Sequence, residues 1–142
     1  MKNAMCIAVA FFCLISTAFC QVETEEKFED LIQYFNRIDW RIQKVNDLVN
    51  NVRWNENDLR LIKYETDHLS KLVDAGVAQL EPQIDPEEFK ALADSLKDSL
   101  KALGDIAEQN KTKEIKPQAN DVFKKYADFK FSFRKLTVEE MQ

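Results

Sequence analysis

Beginning at Phe28, the apolar residues Phe28, Leu31, Phe35, Ile38, Ile42, Val45, Val49 and Val52 follow one another at spacings of three and four. That period predicts a single amphipathic helix over about residues 24–51. Thr24 is placed to cap it, with Glu25 and Glu26 in the first turn, where the helix dipole favours acids. In the next segment Asn55 is the expected cap and Asp58 its third-position partner, with Trp54 placed to fold over Leu59. Leu59, Ile62, Leu69, Val73, Val77 and Leu80 then hold the helical period, interrupted by Thr66, until Glu81-Pro82 stops it.

The strongest local boundary is Asp85-Pro86-Glu87-Glu88, a capping Asp followed by Pro at the first helical position. Ile84 and Phe89 supply a second hydrophobic staple there. Phe89, Leu92, Leu96, Leu100, Leu103 and Ile106 line one face of this third helix, which Gly104 weakens. Gln109 to Pro117 reads as the longest exposed loop. Val122, Tyr126, Phe129, Phe133 and Leu136 predict a fourth helix. Phe129, Phe131 and Phe133 also alternate at period two, but helix is favoured, because an isolated strand would leave its backbone groups unpaired. Four amphipathic segments with mostly short links predict an all-α, up-and-down bundle of about four helices. No close internal repeat or low-complexity tract is visible.

Lys2, the apolar run from Ala4 to Phe19 and the small residues of Ala18-Phe19-Cys20 read as a secretory signal, with cleavage expected before Gln21. A retained membrane anchor is the competing reading, and it needs a longer apolar run. The expected organisation is a signal peptide over residues 1–20 and a single helical domain over 21–142. All three cysteines, Cys6, Cys13 and Cys20, fall within the signal, so the exported chain is cysteine-free and helix packing replaces disulfides as its source of stability.

The 142 residues carry a net charge of −5, and loss of Lys2 makes the exported part about −6. Basic residues are interleaved with acids, which argues against nucleic acid as a partner. Acidity can steer a chain toward basic partners or simply keep it dissolved. His68 is the single histidine and sits mid-helix, where a surface or boundary role is expected. With no exported cysteine, nucleophilic Cys chemistry is excluded; a Ser-His-Asp triad would have to recruit His68, and nothing near it suggests one. A usual zinc set cannot be assembled, and the glycines lie within helical patterns rather than phosphate- or calcium-binding loops. The expectation is a protein that is not an enzyme and carries no catalytic residue, metal or cofactor.

Interaction residues are sought instead among aromatics that leave the stripes. With Phe28 at the first heptad position, Trp40 falls at the outward sixth and Tyr34 on the flank at the seventh. Phe131 falls off the step of the fourth helix. Trp40, Tyr34 and Phe131 are the candidate partner-binding residues, because aromatics bury much area at small entropic cost. The opposing reading is a bundle wide enough to bury its flanks. An apolar surface would suit a protein partner, self-association into a homo-oligomer, or a membrane surface. Asn110-Lys111-Thr112 is an N-glycosylation sequon, which export would make usable at Asn110.

The amino-terminal signal, the cysteine-free start Gln21-Val22-Glu23-Thr24-Glu25-Glu26, the Val52-Arg53-Trp54-Asn55-Glu56 turn and the aromatic Tyr126-Ala127-Asp128-Phe129-Lys130-Phe131 together resemble the salivary gland protein 7 family of anopheline mosquitoes. The resemblance spans the exported chain and transfers no individual functional residue. It implies a secreted, extracellular saliva protein injected during blood feeding that binds a host plasma complex. In such proteins the implied action is host immune evasion: inhibition of the alternative pathway of complement by trapping its convertase. An alternative implied action is suppression of contact-phase (kallikrein-kinin) activation. A second class is an apolipophorin-like bundle that binds lipid or another small ligand, against which stand the narrow stripes and the lack of a basic border, so no membrane partner is expected.

Overall fold

The computed structural model describes residues 31–51, 53–80 and 85–139, with side chains through Ser132. The expected signal, the expected cleavage before Gln21, the expected Thr24 cap, Phe28, Val52, Glu81-Pro82 and Ile84 lie outside the described residues, as do the side chains of Phe133 and Leu136. Among the described residues four helices follow one another: α1 Leu31–Val49, α2 Glu56–Gln79, α3 Pro86–Glu108 and α4 Thr112–Glu139. Among the described residues there is no strand, and the helices pack into a bundle. Residues 129–133 are helical, which settles the period-two ambiguity in favour of the helix.

Residue pairs across the first two seams run in opposite order, as neighbouring antiparallel helices require, and side-chain contacts also join the third and fourth helices. Tyr34 meets Gly76 while Arg41 meets Glu65; Lys97 meets Asp74 while Gly104 meets Thr66; Ser99 meets Asp121 and Gln118. Asp39 closes the ring between α1 and α4 by accepting from the Tyr126 hydroxyl and the Lys130 ammonium. The predicted stripes form the floor of this ring. Ile38, Val45, Ile62, Leu69, Leu96, Leu100, Leu103, Val122 and Phe129 are all buried, and Phe89 stacks on Phe129 with centroids 5.5 Å apart.

The helix boundaries follow local chemistry. Asn55 and Asp58 form the expected reciprocal capping box, at 3.0 and 3.1 Å. Asp85 accepts from the Glu87 N–H at 3.0 Å, with Pro86 opening α3. Trp54 reaches the preceding helix as well: its indole N–H donates to the Leu48 carbonyl at 2.9 Å, satisfying an acceptor in the last turn of α1. Gly104 marks a close crossing, since a Cβ there would lie 2.8 Å from the Thr66 hydroxyl, itself buried and donating to the Lys63 carbonyl. The break in the α2 stripe at Thr66 and the glycine in α3 are thus two sides of one contact.

The expected loop from Gln109 to Pro117 is corrected. Only residues 109–111 link α3 to α4, and Pro117 lies inside α4. Asn110 takes a left-handed conformation, φ 58°, while its N–H donates to Ala107 and that of Lys111 to Ile106. These two bonds make a Schellman turn, which ends α3 at once. Ile115 and Ala119 on either side of Pro117 are fully buried, so packing outweighs the hydrogen bond that the proline removes.

Candidate functional site

Trp40 occupies the outward face of α1 and is 56% exposed. The Lys44 ammonium stands 4.0 Å from its ring centroid, and the Arg41 guanidinium carbon 5.5 Å. Both cations are held from α2 by Glu65, which is only 3% exposed and accepts from Arg41 Nη1 at 2.7 Å and Lys44 Nζ at 3.4 Å. A buried carboxylate is tolerated only when paired, so Glu65 fixes the two cations and they in turn frame the indole. Beside the ring runs a shallow groove of about 430 Å³ lined by Gln33, Asn36, Arg37, Arg41 and Leu72.

Tyr34 does not join this surface, and its expected place among the partner-binding residues is corrected. It is completely buried, edge-on to Phe35 at 5.2 Å, with its ring in the space left by Gly76. The buried face of α1 is one position wider than an a/d stripe, because Gly76 on α2 opens room for a side chain at the seventh heptad position. Burial, and secondarily the charge of Asp74, push the Tyr34 hydroxyl pKa well above the ordinary tyrosine value.

Phe131 is 59% exposed on α4. It does not line the Trp40 groove, and its neighbour Lys130 meets Asp39 rather than the Arg41 flank of α1. The two exposed aromatics expected from the sequence therefore do not share that groove. Comparison with known proteins gives no match: no family model, no curated protein and no solved structure. The site must be read from its own geometry.

A second groove, of about 710 Å³, lies at the end of the bundle where α2 begins and α3 ends. Its lining includes Trp54, Arg60, Lys63, Tyr64, Asp67 and Asn110. Tyr64 is exposed, and the partly buried His68 ring lies 5.6 Å from it, in keeping with a boundary histidine. Lys63 donates to Asp67 at 2.7 Å, a bond that raises the lysine pKa. Tyr64 was open to detection in the sequence, since it leaves the Leu59–Ile62–Leu69 stripe. That it shares a groove with Trp54 and Asn110 depends on the α2–α3 packing.

Among the described residues no group of three or more His, Cys, Asp and Glu side chains could hold a metal ion. No described helix is long and apolar enough to cross a membrane.

Proposed function

We propose that this chain is a secreted salivary protein of the salivary gland protein 7 type. In this reading it binds a host plasma protein complex and blocks the alternative pathway of complement by trapping its convertase. The chain acts as a stoichiometric binder, not an enzyme. The observation that carries the reading is Trp40, a large indole more than half exposed yet framed by Lys44 and Arg41, whose positions are set by buried Glu65. An aromatic already ordered in the free protein loses little entropy on docking, the property that binding hot spots share.

The deciding experiment is inhibition of alternative-pathway erythrocyte lysis in human serum by the exported chain, with a contact-activation assay in parallel. Dose-dependent inhibition near stoichiometry is expected, with Trp40→Ala at least about thirtyfold weaker, as loss of an anchor worth about 2 kcal/mol implies. Inhibition of contact activation alone moves the target to that cascade. No effect in either assay overturns the inhibitor reading and favours a lipid or small ligand.

A further inference from the structure

The end groove holds the acceptor of a sequon and two aromatic side chains in one concavity, a coincidence that the cascade reading leaves unused. Asn110 is exposed, and both hydrogen bonds of the Schellman turn fix its backbone. Thr112, two residues on, opens α4. Trp54 cannot turn away freely, because its indole N–H is engaged by the Leu48 carbonyl. Tyr64 is exposed on the same groove, and Arg60 and the Lys63–Asp67 pair make the lining as much polar as apolar.

We propose that this groove seats an N-linked glycan carried by Asn110, whose first sugars pack against Trp54 and Tyr64. In the attachment, Asn110 Nδ2 attacks C1 of the leading N-acetylglucosamine of a polyprenyl-diphosphate oligosaccharide. The N–C1 bond forms as the C1–O bond to the diphosphate breaks; the amide nitrogen loses a proton and the polyprenyl diphosphate departs. Transfer precedes folding of the turn, and the Schellman geometry then sets the root of the glycan at the mouth of the groove. The C–H face of a pyranose suits an aromatic ring, its hydroxyls and acetamide suit Arg60 and Asp67, and about 710 Å³ lies within the range of pockets that hold compact ligands. No residue lining the Trp40 groove lines this one, so the glycan leaves the Trp40 face open.

This inference rests on the export half of the proposed function. The test is secretion of the full chain, with its own leader, from insect cells in a Trp40→Phe background that leaves Trp54 as the sole tryptophan. Intact mass should exceed that of the chain by a core glycan, and the excess should vanish in Asn110→Gln and Thr112→Ala. Enzymatic removal of the glycan should at least double acrylamide quenching of Trp54 and lower the melting temperature by about 2–4 °C. Tyr64→Ala should erase most of that difference. A secreted chain with bare Asn110, or a glycan whose removal changes neither quenching nor melting, overturns the seat. Retention of the chain with residues 1–20 attached overturns both export and seat. Lysis assays on the glycosylated and Asn110→Gln chains with native Trp40 are scored separately, and absence of inhibition by both sinks the inhibitor reading alone.

Discussion

The Tyr34 ring fills the place that a side chain at residue 76 would need: a Cβ built on Gly76 lies 2.2 Å from the tyrosine oxygen and 2.3 Å from Cζ. Removing the hydroxyl alone does not make room for the Cβ, because the ring carbon remains. Gly76→Ala should therefore destabilise the bundle by about 1–3 kcal/mol, even though alanine is the better helix former by about 1 kcal/mol. In a Tyr34→Ala background the sign should reverse, with Gly76→Ala stabilising. Urea unfolding of the four proteins in this cycle measures both effects, and additivity would show that the residues do not meet.

The same burial makes stability fall in alkali. The unfolded tyrosine ionises near pH 10, whereas folded Tyr34 holds its proton to higher pH because burial and Asp74 disfavour the phenolate. Below pH 10 both states are protonated and Tyr34 adds no pH dependence. Above it the unfolded state loses a proton that the folded state keeps, so stability drops by about 1.4 kcal/mol per pH unit until the folded pKa is reached. Tyr34→Phe should remove the tyrosine's share of this slope, measured as a smaller difference in unfolding free energy between pH 9 and pH 11 than the parent chain shows; the raised lysine pKa of Lys63 keeps a residual fall in both.

Glu65 links packing to the surface at Trp40. Glu65→Ala leaves Arg41 largely buried without its carboxylate and should cost about 2 kcal/mol, less than a fully buried pair because Lys44 is half-exposed. It should also free the indole. In a Trp54→Phe background, the fluorescence anisotropy of Trp40 should fall in Glu65→Ala and be largely retained in Glu65→Gln, which keeps an acceptor.

Trp40→Ala should change unfolding free energy by less than about 0.5 kcal/mol, as expected of an exposed position, while weakening inhibition. A large fall in melting temperature would show the indole to be structural.

Pro117 interrupts α4 where Ile115 and Ala119 are buried, yet it is itself exposed. Pro117→Ala restores an N–H for the Lys113 carbonyl and should raise stability by about 1–3 kcal/mol in urea unfolding. A neutral or destabilising outcome would mean that the ring makes favourable contacts of its own.

Helix period and cap chemistry are local, and both were legible in the chain. The stripe from Leu31 to Val49, the Asn55–Asp58 box and the Asp85-Pro86 start all appear where spacing and side-chain type put them. Outward placement of Trp40 and Phe131 followed from the same periodicity. The misreadings lie where a local signal met a tertiary one. Pro117 signals a loop, but Ile115 and Ala119 draw its turn into the bundle. Tyr34 reads as a flank residue, but Gly76, forty-two positions away, opens a hole for it.

The sequence by itself determined an all-helical chain, the starts of α2 and α3 and the inward stripe of each segment, because a few neighbouring residues set those properties through hydrogen bonding and period. Only the tertiary structure decided that Tyr34 is core, that Glu65 anchors the cations around Trp40, and that Trp54, Tyr64 and Asn110 share one groove. Those facts depend on which helix faces meet and how closely, a matter of distances between residues that lie far apart along the chain.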